Sequence, residues 1–155
     1  MFTEIFKQSP NVSKSPIVPK GIIFHHSAGS YSGSVSWCLN PTSKVSYHCM
    51  VDLNGNRTVL AKSTQRAWHA GKSRFKGLND CNSFMLGISV SGNTNERDLT
   101  QAEIDSVAEW CVKEMRKYKI GLDWLTTHAI VSPGRKFDVS PEALDQIIER
   151  IKEIL

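Results

Sequence analysis

The sequence predicts an α/β fold, a single domain with a central mixed β-sheet flanked by helices. Three observations carry this. Short apolar and β-branched runs recur between residues 20 and 92, amphipathic helical patterns with capping signals follow from residue 100, and 155 residues leave room for one core and no second module.

Residues 1–19, polar and containing three prolines, read as an arm that wraps the surface of the domain proper, residues 20–155. "KGIIFHHSAG" is a buried strand that ends in a loop at Ser27, Ala28 and Gly29. A helix is expected around "SVSWCLN". In "KVSYHCMVDLNGNRTVL" the β-branched and aromatic residues flank Asn54 and Gly55, which tolerate positive φ, so the run predicts an antiparallel hairpin. "FMLGISVSG" is a further strand, closed by Gly92, and "WLTT" before His128 is strand-like. Thr100 with Glu103 forms a capping box, and Ile104, Val107, Ala108, Cys111, Val112 and Met115 recur on one helical face. The last helix starts at Ser140 with Pro141 in its first turn, and Leu144, Ile147, Ile148, Ile151 and Leu155 form its buried side. No internal repeat is present.

Charge narrows the function classes. The 19 Lys and Arg against 15 Asp and Glu give a formal charge of +4, but the cations are scattered and no basic run is interleaved with aromatics. A nucleic-acid partner is therefore not expected; an acidic polymer surface is the milder reading. The opening stretch shows no charged segment followed by an apolar one, and "IIF" is far too short to span a bilayer, so neither export signal nor membrane segment is expected. Cys38, Cys49, Cys81 and Cys111 lie far apart and form no C-x-x-C pair, which suits reduced core thiols.

The chemistry concentrates in the histidines and in "THAIVSPGRKFD", residues 127–138. His25 and His26 stand where the first apolar strand runs out, His48 in the hairpin, His69 in "AWHAG", and His128 after "WLTT". Histidines at strand ends facing one rim suit a catalytic zinc site, which needs three rigid ligands and an open position. Taken singly, each is better read as a partly buried polar residue with a local hydrogen bond. His128 and Asp138 stand across a turn set by Pro133 and Gly134, so the chain can double back and bring them together. They form no helical pair of the H-E-x-x-H kind.

Six motifs, "IIFHHSAG", "VSYHCMVDLNG", "AWHAG", "CNSFMLGISVSG", "LTQAEIDSV" and "HAIVSPGRKFD", resemble in order those of zinc-dependent N-acetylmuramoyl-L-alanine amidases. That family includes phage endolysins, cell-wall recycling amidases and peptidoglycan recognition proteins. The resemblance implies Zn2+ held by His25, His128 and Asp138, and hydrolysis of the amide between N-acetylmuramic acid and L-alanine in peptidoglycan. It also implies catalytic roles for Lys136, which would face the reacting oxygen, and for Tyr47, with Trp68 and His69 bordering the substrate groove. Arg135 is expected to be a solvated cation. His26 is assigned to packing or support of the ligands, His48 faces away from Tyr47, and Asn82 serves its own loop.

One departure shapes the expectation. The recycling amidases and many other relatives read "GIE" in the central strand, where the glutamate transfers protons, whereas this chain reads "GIS" with Ser89. The endolysin branch also lacks that glutamate. The resemblance therefore implies a monomeric phage endolysin, made in the host cytoplasm and reaching the cell wall after release through a pore. A cytosolic muropeptide-recycling amidase and a non-catalytic peptidoglycan-binding protein are the alternatives.

Overall fold

The computed structural model describes residues 2–155. Ten strands and four helices follow the chain as β1 (Glu4–Phe6), β2 (Val12–Pro16), β3 (Gly21–His26), α1 (Tyr31–Leu39), β4 (Cys49–Val51), β5 (Arg57–Val59), β6 (Gln65–Ala67), β7 (Arg74–Phe75), β8 (Leu78–Asn79), β9 (Met85–Val90), α2 (Gln101–Tyr118), β10 (Leu125–Thr127), α3 (His128–Val131) and α4 (Pro141–Ile154). Six strands make one sheet in the order β1-β5-β4-β9-β3-β10. The sheet is mixed as expected: β3 runs parallel to β9 and β10, β4 is parallel to β9, and β4 with β5 forms the antiparallel hairpin. Gly55, at φ 85°, occupies the hairpin turn in the left-handed region that glycine tolerates.

Alternation along the central strands separates two faces. Ile22 and Phe24 of β3, with Leu86, Ile88 and Val90 of β9, pack against Val107 and Cys111 of α2 and Ile147 and Ile151 of α4 in the main core. Ile23 and Met85 point the other way, into a smaller cluster with Cys81 and Val131. The same alternation turns His25 and Ser89 away from α2 and α4, toward the loops. All four cysteines are buried and unpaired.

The helices begin where the caps place them. Thr100 and Glu103 form the reciprocal capping box of α2, and Arg97 holds both Glu103 oxygens at 2.8 Å. The Ser140 hydroxyl accepts from the Ala143 amide at the start of α4.

The N-terminal segment differs from a simple polar wrapping. Residues 4–6 form the edge strand of the main sheet, parallel to β5, and β2 pairs antiparallel with β6. Its polar residues are what bind it: Glu4 pairs with Arg57 at 2.8 Å, and buried Asn11 donates to the carbonyls of Asn40 and Val45 at 3.0 and 2.9 Å. Polar side chains here satisfy main-chain acceptors left open at the end of α1.

Ile151 is fully buried between α4 and the sheet, so Ile151→Ala is expected to cost about 2–5 kcal/mol. Urea unfolding followed by circular dichroism checks this, and a midpoint equal to wild type contradicts the packing.

Candidate metal centre and cleft

The sheet itself brings the first two candidate ligands together. His25 stands near the carboxyl end of β3, and β10 runs parallel beside it with Thr127 opposite Phe24, so His128, the next residue, arrives next to His25. The carboxyl ends of parallel strands are where open α/β sheets place their sites. From His128 the chain makes one helical turn and then reverses at Pro133 and Gly134, the latter at φ 77°. Amides of Arg135 and Lys136 donate to the Ser132 carbonyl, and the Ala129 amide donates to the Asp138 carbonyl at 2.7 Å, which closes the loop. Asp138 is thereby returned to the start of α3.

His25 Nδ1 lies 3.0 Å from His128 Nδ1 and 3.4 Å from Asp138 Oδ2, and His128 Nδ1 lies 3.4 Å from Asp138 Oδ1. All three residues are buried, and their ligand atoms lie within 4.8 Å of one another. The His128 Nε2–H donates to the Ala70 carbonyl at 3.0 Å, which leaves Nδ1 as the free lone pair. Two imidazoles and a carboxylate aimed at one point suit a divalent cation of zinc type. Burial pulls the His25 imidazole down to about 4, reinforced by His128 and opposed by Asp138. For Asp138, burial would raise the carboxyl, but hydrogen bonds and positive charge from His128 and His25, in the states where those rings carry their protons, hold it well below the usual carboxylate range. At neutral pH the carboxylate is charged and His25 is neutral, the states a metal requires.

A cleft of about 950 Å³ opens over these residues, with Tyr47, Trp68, Lys136, Trp37 and Phe137 among its lining. The Tyr47 ring packs on His25 with centroids 5.1 Å apart, and burial pushes its phenol above the ordinary value. Trp68 is partly buried and its indole N–H donates to Ser13 of β2 at 2.8 Å. His69 borders the cleft, but only 5% of it is exposed and both ring nitrogens face protein atoms, so its ring differs from a free groove wall. His26 donates its main-chain N–H to Asp138 Oδ2 at 3.3 Å, and its Nδ1 meets the Thr94 hydroxyl at 2.9 Å, in keeping with support of the ligands. Asn82 accepts from the His69 and Ala70 amides, and His48 is fully buried.

Arg135 is exposed, as expected of a solvated cation, but it is not free. Its guanidinium donates to the Ala70 and Lys72 carbonyls at 2.6 and 2.9 Å and to the Ser132 hydroxyl at 3.0 Å, tying the "AWHAG" loop to the ligand loop. The Ala70 carbonyl so held is the one that orients His128. No side-chain pattern reports such a latch, because its acceptors are main-chain atoms. Trp37 and Phe137, 54% and 68% exposed, were also overlooked. Their signal was available: Trp37 lies off the buried face of α1, and Phe137 is an aromatic inside a polar loop.

The fold and the three converging side chains define a candidate single-metal hydrolytic centre on an α/β sheet. The chain belongs to the N-acetylmuramoyl-L-alanine amidase family, whose model matches residues 14–141. The 1,6-anhydro-N-acetylmuramyl-L-alanine amidase AmpD of Haemophilus influenzae is 41% identical over 96 residues, covering 61% of this chain and 52% of that protein. N-acetylmuramoyl-L-alanine amidase A of Achromobacter lyticus is 36% identical over 85 residues, covering 54% of this chain and 44% of its own length. The chain thus spans about half the length of these curated relatives. Among solved structures, an AmpD derivative superposes with a TM-score of 0.78 at 22% identity, covering 100% of this chain and 96% of that one. A mutant endolysin from Bacillus subtilis gives 0.76 at 21%, covering 97% and 99%. These two likenesses establish the shared fold.

Metal-free protein is expected to lose stability as pH falls from about 6.5 toward 4. Burial pulls His25 and His48 down to about 4 in the folded chain and His69 well below its ordinary 6.5, so across this window the unfolded chain binds protons that the folded chain refuses. Each histidine contributes a slope of up to about 1.4 kcal/mol per pH unit. Urea unfolding of the chelated protein at several pH values measures it, and His48→Asn should remove one histidine's share. A flat profile contradicts the buried neutral imidazoles of His25, His48 and His69.

Proposed function

We infer that the chain is a metal-dependent amidase that hydrolyses the bond between the lactyl group of N-acetylmuramic acid and L-alanine, with peptidoglycan fragments as substrate. The observation that carries this is the buried His25, His128 and Asp138 cluster under an open cleft that also holds Lys136 and Tyr47. His25, His128 and Asp138 would hold zinc, which supplies Lewis-acid polarisation of a carbonyl and lowers the pKa of water toward neutrality. The protein's own residues do the rest. Lys136, exposed in the cleft two residues before Asp138, places an ammonium where negative charge develops on the substrate carbonyl oxygen. Tyr47 offers a phenolic hydrogen bond from beside His25. Trp68 presents a partly buried aromatic surface to the substrate, while His69 turns its ring nitrogens to the protein.

We favour small muropeptides with a 1,6-anhydro end over the intact wall. Several relatives are named as 1,6-anhydro-N-acetylmuramyl-L-alanine amidases, which supports this, at 41% identity for the one from Haemophilus influenzae and 32% over 98 residues for that of Escherichia coli K12. The recycling reading therefore stands ahead of the endolysin with pore release expected from Ser89. The endolysin reading keeps one observation in its favour, the serine in "GIS", while solved structures of both kinds share the fold. All three ligand side chains are present, which argues against a purely binding protein.

Zinc-loaded protein incubated separately with anhydro-muropeptides and with purified sacculi, beside chelated controls, tests the assignment by mass spectrometry of soluble products. Peptides beginning with L-alanine are expected mainly from the muropeptides and in neither control. Equal release from sacculi would favour the lysin reading, and no release from either would overturn the amidase. Lys136→Ala should retain zinc and lower kcat by about 100-fold or more, and unchanged turnover would remove Lys136 from the mechanism.

A further inference from the structure

Hydrogen-bond accounting around His25 leads to a group outside the ligand set. His25 Nε2 lies 3.0 Å from His69 Nδ1, with the two rings edge-on at 89°. On the far side of His69, Nε2 lies 3.0 Å from the Met85 carbonyl oxygen. A carbonyl can only accept, so His69 Nε2 carries the hydrogen of its neutral ring, and Nδ1 is an acceptor. His25 Nε2 must then be the donor. His25 has spent its only hydrogen on His69, and its Nδ1 is a bare lone pair directed at His128 and Asp138.

The seat of the His69 ring is built into β9. A Cβ on Gly87 would stand 2.5 Å from His69 Cγ, so the ring lies where any other residue's side chain would begin. Gly87 is gripped in turn by His48: its amide donates to His48 Nδ1 at 3.0 Å, and its carbonyl accepts from the His48 amide at 2.9 Å. His48 Nε2–H completes its own pairing on the Gln65 carbonyl at 2.8 Å. The His69 amide is held by Asn82 Oδ1 at 3.1 Å. Every contact fixes the ring's position, and none leaves its nitrogens free for substrate.

We propose that His69 is a positioning residue for the metal, fixing His25 as an Nδ1 ligand for a divalent cation of zinc type, and that Gly87 is the seat this requires. The inference rests on the metal reading given under Proposed function. Without an acceptor behind Nε2, His25 can equally place its hydrogen on Nδ1, where it would point at the His128 lone pair and occupy the ligand direction. A neutral imidazole as the acceptor also keeps Asp138 the single negative charge of the buried cluster, whereas a carboxylate behind His25 would add a second one at full burial.

Zinc affinity of the full chain, measured by competition with a chromophoric chelator, tests this independently of turnover, with melting of the metal-free protein as a check on folding. His69→Phe, which keeps the ring but not the acceptor, should weaken zinc binding by about 10- to 100-fold. His69→Asn, with an acceptor oxygen at the Nδ1 position, should recover most of the loss. Gly87→Ala should weaken binding as His69→Phe does, and the double variant should be no worse than either single one, because both break the same link. A His69→Phe protein that melts lower but binds zinc as tightly as wild type would reduce His69 to packing and overturn the proposal. If that variant does not fold, His69→Asn decides: affinity within about threefold of wild type sustains the proposal, and a loss of about tenfold or more sinks it. A wild-type chain that takes up no zinc would overturn the metal reading itself, and this inference with it.

Discussion

Two imidazole nitrogens held 3.0 Å apart in a buried site, each with its ring's hydrogen committed on the far side, present lone pair to lone pair. Such a contact is repulsive until a cation lies between the rings, and the surrounding structure exists to enforce it. The Ala70 carbonyl takes the hydrogen of His128, and Arg135 holds that carbonyl. His69 takes the hydrogen of His25, and the Met85 carbonyl leaves His69 no alternative. The chelating geometry is imposed from behind the rings, by groups that do not touch the ligand atoms, as outer hydrogen bonds commonly do in metal sites.

The sheet makes this constraint affordable. Parallel pairing of β3 with both β9 and β10 sets His25, Ser89 and His128 along one edge of the strands, while Phe24, Ile88 and the aliphatic faces of α2 and α4 bury the opposite side. Helix packing therefore stabilises one face and leaves the other to polar chemistry. The N-terminal strands belong to that second task as well. Ser13 of β2 accepts from the Trp68 indole and from Arg66, so the segment that follows β6 toward His69 is tethered by residues far from it in sequence.

Much of this is legible in the sequence. The capping box at Thr100, the Asn54–Gly55 hairpin, the helix from Ser140 and the ligand loop across Pro133–Gly134 all rest on local signals: a cap, a turn residue, a repeating apolar face. His25, His128 and Asp138 were legible through their motifs, and the structure brings them together. What local signals cannot convey is pairing at a distance. Residues 1–19 read as a polar arm because β1 is only Glu4–Phe6, too short to show a period, and because Asn11 satisfies carbonyls on a different part of the chain. The contacts of Arg135 and His69 were hidden for the same reason: the sequence shows an exposed arginine and a histidine beside the cleft, but not that their partners are main-chain oxygens and the far nitrogen of His25.

Ser89 then takes on a definite meaning. It sits opposite His25 in the sheet, fully buried, and its hydroxyl donates to the Val90 carbonyl at 3.1 Å, so it has neither the basicity nor a free proton for acid-base work. Tyr47, on the cleft side of His25, is pushed by burial above the ordinary phenol range and stays protonated at neutral pH, which makes it a hydrogen-bond donor and not a base. Asp138, which would be committed to the metal and already accepts the His26 amide at 3.3 Å, is not free to carry a proton. With these three set aside as bases, Lys136 and Tyr47 can act in the cleft through charge and hydrogen-bond donation. On the metal reading proposed above, the nucleophile would be made acidic at the metal, which gives the tautomers of His25 and His128, and the buried groups that set them, their weight in the site.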